Sequence, residues 1–127
     1  MGTASEERRR VAEEIAVARG LAIIPPYDDS RIVAGQGTAG LEIAEDMPGV
    51  AAVLVPIGGG GLASGVAAAI KALLPRTRMI GVEPELAADA RESLAVGRIV
   101  EWPAERVSRT IADGTRTKDG APRQPVI

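Results

Sequence analysis

Val50-Ala51-Ala52-Val53-Leu54-Val55-Pro56-Ile57, followed at once by Gly58-Gly59-Gly60-Gly61-Leu62, is the stretch that decides the fold. Its first eight residues are continuously apolar and too few for a helix, which predicts a strand buried on both faces of a parallel sheet. The glycines interrupt the chain. Leu62 to Leu74 then carries helix formers up to Pro75, and Met79-Ile80-Gly81-Val82 predicts the next buried strand. Strand, glycine loop, helix and strand in this order make a βαβ unit with a right-handed crossover. The expected class is α/β, a parallel sheet with helices on both faces.

Gly58 to Gly61 sit where a buried strand hands over to a helix. At that position unpaired backbone N–H groups and the helix dipole both favour an anion. Glycine lets the backbone approach a phosphate closely and adopt positive φ, so the loop reads as a phosphate cradle. A tight turn alone would need only one or two glycines. Leu62, Ala63 and Ser64 replace the Gly-Lys-Ser/Thr ending of a nucleotide P-loop, which removes that kind of ATP site. Gly58-x-Gly60-x-x-Ala63, with Glu83 at the end of the next strand, also fits a dinucleotide fingerprint, so an NAD-binding module stays open on spacing alone.

Working outward, Ser5 to Arg19 has the apolar spacing of a helix stopped by Gly20, and Leu21 to Ile24 predicts a short strand ended by Pro25-Pro26. Tyr27-Asp28-Asp29-Ser30 is turn chemistry before a second helix of about residues 37 to 46, closed by Pro48-Gly49. A further helix is expected from Ala87 to Ala95. Residues 115 to 127 read as a loop or tail of the single domain spanning 1 to 127.

The 127 residues suffice for one core, and that core must be built of Ala, Val, Ile and Leu, since the sequence has no Phe, one Trp and one Tyr. Fifteen basic and 17 acidic residues are dispersed, leaving no basic face for nucleic acid. Zinc thiolate sites and Cys/His or Ser/His/Asp mechanisms are excluded by the absence of Cys and His. No apolar run reaches a membrane span of about 18 residues, so a soluble cytoplasmic protein is expected. Sheet edges left exposed in so short a chain predict self-association as a homo-oligomer.

Three phrases narrow the choice: Pro25-Pro26-Tyr27-Asp28-Asp29, Ala34-Gly35-Gln36-Gly37-Thr38-Ala39-Gly40-Leu41-Glu42-Ile43, and Val55-Pro56-Ile57 with the glycine loop. Together with Glu83-Pro84-Glu85 and Thr110-Ile111-Ala112-Asp113-Gly114, they resemble, in order and spacing, the middle of the pyridoxal-phosphate (PLP) dependent serine/threonine dehydratase and serine racemase family. The resemblance runs from about Arg10 to Thr117. It implies part of the large PLP-binding domain of a fold type II enzyme, and it favours PLP over NAD. By it, the backbone N–H groups of Gly58, Gly59, Gly60, Gly61 and Leu62 would hold the PLP phosphate, with Gly114 beside the cofactor ring.

The activity implied is that of an ammonia-lyase: L-threonine or L-serine loses its α-proton and β-hydroxyl and yields a 2-oxo acid and ammonia. Serine racemase, in which the same carbanion is reprotonated on its other face, is the alternative. The resemblance also implies a divalent-cation site for Mg²⁺ or Ca²⁺ on Glu83, the carbonyl of Ala87 and Asp89, all hard oxygen donors.

In the family, the lysine that bonds the cofactor lies in an earlier Ser-Phe-Lys-like segment, and the substrate loop resembles Ser-Gly-Asn-His-Gly. Neither segment is found here. Lys71 and Lys118 are the only lysines, and both read as solvated side chains rather than cofactor ligands. A fragment without a catalytic residue of its own is therefore expected, inactive alone, with a non-catalytic truncated module as a further alternative.

Overall fold

The computed structural model describes residues 5 to 115. Helix α1 is Ser5–Arg19, and it ends as expected at Gly20, whose φ of 62° lets the Leu21 N–H reach back to the Ala16 carbonyl at 2.9 Å. The strand expected at Leu21 to Ile24 does not form. That segment is irregular, with Leu21, Ile23 and Ile24 exposed. A β-prone run becomes a strand only where a neighbour completes its ladder, and the described residues supply none.

Helix α2 is Ser30–Asp46 and begins about seven residues before the expected start. Its N-cap is Asp29, which accepts the Arg31 N–H at 2.8 Å and is clasped by the Arg31 guanidinium at 3.0 and 2.8 Å. That side-chain hydrogen bond, reinforced by the Arg31 backbone N–H, lowers the Asp29 carboxyl from 3.8 to about 2. A folded value below the unfolded one stabilises the fold above pH 3.8, and the contribution is lost as pH falls through about 2. Asp29→Asn keeps a capping oxygen but cannot titrate. Acid unfolding followed by circular dichroism should accordingly show a shallower limb between about pH 4 and pH 2 in that variant.

Strand β1 (Ala52–Pro56), helix α3 (Gly61–Leu73) and strand β2 (Arg78–Val82) realise the βαβ unit. The two strands pair in parallel, with Ala52 opposite Arg78 and Pro56 opposite Val82. Ile57 donates its N–H to the Val82 carbonyl at 2.9 Å, so the alternate residue, Pro56, turns its missing N–H toward the open edge. The Thr77 hydroxyl closes the far end by donating to the Val50 carbonyl at 2.8 Å.

The core lies between this sheet and α3. Val53, Val55 and Ile57 face Ala63, Val66 and Ile70, with Ala44 of α2 and Ala90 beyond them. Ile70 is fully buried. Small residues bring α2 and α3 together: a Cβ on Gly40 would stand 2.8 Å from that of Ala69, and one on Gly37 3.2 Å from the Gly65 carbonyl oxygen. The aliphatic, aromatic-poor composition is thus used for close helix packing.

The class is the expected α/β with a parallel pair, but burial on both faces of Val50 to Ile57 is seen on one face only. Leu54 is 64% exposed, and nothing among the described residues covers that side. A 3₁₀ turn, Glu85–Ala87, and helix α4, Asp89–Val96, replace the single helix expected from Ala87. Helix α5, Ala104–Val107, was not legible; beside it the Trp102 indole N–H donates to Glu92 at 2.6 Å and the Arg106 guanidinium lies 3.4 Å from the ring centroid. No helix among the described residues is long and apolar enough to cross a membrane. Residues 116 to 127, with Lys118 and most of the expected tail, lie outside the described residues.

Candidate functional site

Ile57 ends the strand in the core, and Gly58 to Gly61 carry the chain up onto the first turn of α3. Gly60 is the N-cap residue with φ of 91°, a left-handed conformation, and it offers no side chain to the helix. The first intrahelical bond is Ser64 N–H to the Gly60 carbonyl at 2.9 Å. The N–H groups of Gly61, Leu62 and Ala63 therefore precede the helical ladder, and no side chain caps them. Gly58 and Gly59 are half-buried, Gly60 and Gly61 buried, and Leu62 at the rim is 36% exposed.

A Cβ on Gly60 would meet nothing within 4 Å, so the space in front of this residue is open. The donor set is all backbone N–H at a helix N-terminus, with the helix dipole behind it. Such a set fits a phosphate.

Gly114, distant in sequence, is brought to this loop. A Cβ on Gly58 would stand 3.4 Å from the Gly114 carbonyl oxygen and 3.2 Å from Thr115 Cα. The turn carrying Gly114 is closed by the Thr115 hydroxyl, which donates to the Ala112 carbonyl at 2.9 Å, and by the Ala112 N–H donating to Thr110 Oγ1 at 3.1 Å. Tyr27, read from sequence only as turn chemistry, lies directly on Gly59. The Ser64 hydroxyl, one turn into α3, is buried without a hydrogen-bond partner among the described residues.

Lys71 lies in the last turn of α3, ten residues or about 15 Å along the helix from the glycine loop. It is exposed, as expected of a solvated side chain, and its ammonium also donates to the Thr77 carbonyl at 2.8 Å and to the Pro75 carbonyl at 3.4 Å. There it closes the turn and complements the negative end of the helix dipole.

Glu83, Ala87 and Asp89 fall on the short path from β2 through the 3₁₀ turn into α4. The Glu83 carboxylate accepts the Ala90 N–H at 3.0 Å on one oxygen and the Arg91 N–H at 2.8 Å on the other. It therefore caps α4 in place of Ala88, the N-cap residue, which has no side-chain acceptor. This role needs no cation. Glu83→Ala should lower stability by about 1 to 2 kcal/mol, read as a drop in the thermal midpoint, because two first-turn amides lose their acceptor. Ala87 and Asp89 are buried, at 1% and 6% exposure. Among the described residues no three His, Cys, Asp or Glu side chains are grouped to hold a metal.

A parallel strand, a glycine loop and an uncapped helix N-terminus, with a second glycine turn packed on the loop, make an α/β module whose donor set fits a phosphate. The chain belongs to the family of pyridoxal-phosphate dependent enzymes, whose model matches residues 1–126. It is 43% identical to the serine racemase of Arabidopsis thaliana over 120 residues, covering 94% of this chain and 35% of the relative. To the L-threonine ammonia-lyase of Geobacter sulfurreducens it is 44% identical over 123 residues, covering 96% of this chain and 30% of the relative. The solved structure of maize serine racemase superposes with a TM-score of 0.87 at 39% identity, covering 98% of this chain and 38% of that one. The chain thus spans about a third of the length of the curated relatives it matches.

Proposed function

We propose that this chain is the phosphate-holding part of a PLP-dependent ammonia-lyase acting on L-threonine or L-serine. The carrying observation is the left-handed Gly60 before the uncapped first turn of α3. Backbone N–H groups of Gly58 to Leu62 hold the phosphate of PLP, and the Gly114 turn packed on Gly58 borders the ring side of the site. PLP, when bound, supplies the electron sink that makes the α-proton of an amino acid labile. The part played by the residues of this chain is to bind and orient: donors fixed before the ligand arrives cost no reorganisation when it binds. Lys71, held at the opposite end of α3, takes no part in the chemistry.

The test is to add PLP to the chain, follow its binding by fluorescence, and assay 2-oxo acid from L-threonine. Binding without 2-oxo acid is expected, since Lys71 is held at the far end of α3 from the loop. Turnover by the chain alone would overturn the assignment of Lys71 and Lys118 as non-catalytic. The match to serine racemases favours racemisation as the second reading, so D-serine formation by the whole protein is the discriminating assay.

The reading extends to a Mg²⁺ or Ca²⁺ ion on Glu83, the Ala87 carbonyl and Asp89, supported by two carboxylates and a carbonyl within seven residues, one of the acids buried. Calorimetry should show cation heat in the parent and none in Asp89→Ala; equal heats would remove the ion. The two strands also leave one edge each unpaired among the described residues, which supports association of copies.

A further inference from the structure

Tyr27 is the only tyrosine of the chain, and its ring occupies the space that a side chain at Gly59 would need. A Cβ built on Gly59 falls against Cγ, Cδ1 and Cδ2 of the ring, closer than real Cβ atoms come to anything. One built on Gly61 would stand 3.4 Å from Tyr27 Cβ and 3.5 Å from its Cα. A single aromatic residue thus covers two of the four loop glycines.

The backbone around Tyr27 is fixed on both sides. Pro25 and Pro26 precede it with their restricted φ. Asp28 follows with φ of 58°, the only non-glycine residue in the described chain with a positive value, in a left-handed conformation that aspartate tolerates better than most residues. Asp29 then caps α2 and is clasped by Arg31. The turn places the ring on the loop.

We infer that Tyr27 is a positioning residue for the phosphate loop. Its ring holds the Gly58–Gly61 backbone in the conformation that leaves Gly60 left-handed and the first-turn amides of α3 uncapped. It follows that the glycines are divided by task. Gly59 lacks a side chain to admit the Tyr27 ring, whereas Gly60, with open space before it, lacks one for its φ and for the ligand. This inference rests on the reading of the loop as a phosphate cradle.

The experiment is a double-mutant cycle on the full chain with Tyr27→Phe, Tyr27→Ala, Gly59→Ala and the Tyr27→Ala/Gly59→Ala pair. Inorganic phosphate affinity and thermal midpoint are read for each. Tyr27→Phe, which keeps the ring, should bind phosphate within about twofold of the parent, and Tyr27→Ala about tenfold more weakly with unchanged helix content, since preorganisation is lost. Gly59→Ala should cost a similar factor in the parent and almost nothing further once Tyr27 is alanine, because the space is then free.

Equal costs of Gly59→Ala in both backgrounds, or parental phosphate affinity in Tyr27→Ala, would overturn the inference. If Gly59→Ala alone does not fold, recovery of the fold in the pair is the same coupling and supports it; a pair that also fails overturns it. Should the parent bind no phosphate, the proposed function falls. The midpoints then decide the Tyr27 role separately: non-additive values retain it, additive values remove it.

Discussion

Gly60→Val is expected to abolish inorganic phosphate binding, weakening it by about a hundredfold or more in a titration followed by ³¹P NMR. Two causes act together. At φ of 91° a β-branched residue is strained by roughly 1 to 3 kcal/mol, so the loop shifts toward negative φ and its N–H groups turn with it. The side chain would also project into space that is now open, where the ligand is proposed to sit. Gly60→Ala separates these effects, since it carries the φ penalty with less bulk, and should weaken binding by about tenfold. Unchanged affinity in Gly60→Val, with helix content preserved, would remove the phosphate cradle from the account.

Much of this site was legible because it depends on local chain chemistry. An apolar run of strand length, four glycines and a helix-forming stretch ended by Pro75 place β1, the loop and α3 to within about two residues of where they stand. A role for Gly114 beside the cofactor was implied only by resemblance to a known family; the structure brings its turn against Gly58. What escaped depends on partners distant in sequence. Leu21 to Ile24 has strand composition but no ladder partner among the described residues. Helix α2 was expected only from about residue 37, whereas it starts at Ser30, and Gly37 and Gly40 are the flat side that α3 approaches.

Tyr27 and Glu83 show the same limit from the polar and aromatic side. A Pro-Pro-Tyr-Asp-Asp run announces a turn, but only the fold shows that its ring settles on a glycine about thirty residues on. Glu83 looked like a ribose-binding acid by its spacing from the glycine loop and a cation ligand by the family resemblance. In the structure both its oxygens are engaged by the amides of α4, a cap reached from seven and eight residues upstream that no capping-box spacing would announce.

The second large effect concerns Gly65, on the face of α3 turned to α2. A Cβ there would stand 2.6 Å from the Gly37 N and 2.9 Å from the Gln36 carbonyl carbon, and would also press on the Val33 carbonyl oxygen. All three are backbone atoms, so no rotamer change can make room and the two helices must separate. Helix propensity argues the opposite way, since Gly→Ala inside a helix ordinarily stabilises by about 0.5 to 1 kcal/mol. Overpacking against a rigid backbone outweighs it. Gly65→Ala is expected to cost about 3 kcal/mol and to lower the thermal midpoint by roughly 10 °C.

Gly35→Ala is the matched control. It too lies inside a helix, but its Cβ would meet nothing within 4 Å, so it should raise the midpoint slightly. Because Tyr27, in the turn just before α2, and Ile32, in its first turn, flank Gly61, separation of the helices in Gly65→Ala should also weaken phosphate binding at a site the substituted residue does not touch. Midpoints that rise in both variants would show that α2 and α3 are not in backbone contact at Gly65. A midpoint that falls in Gly65→Ala with phosphate affinity unchanged would show that the loop is held without α2.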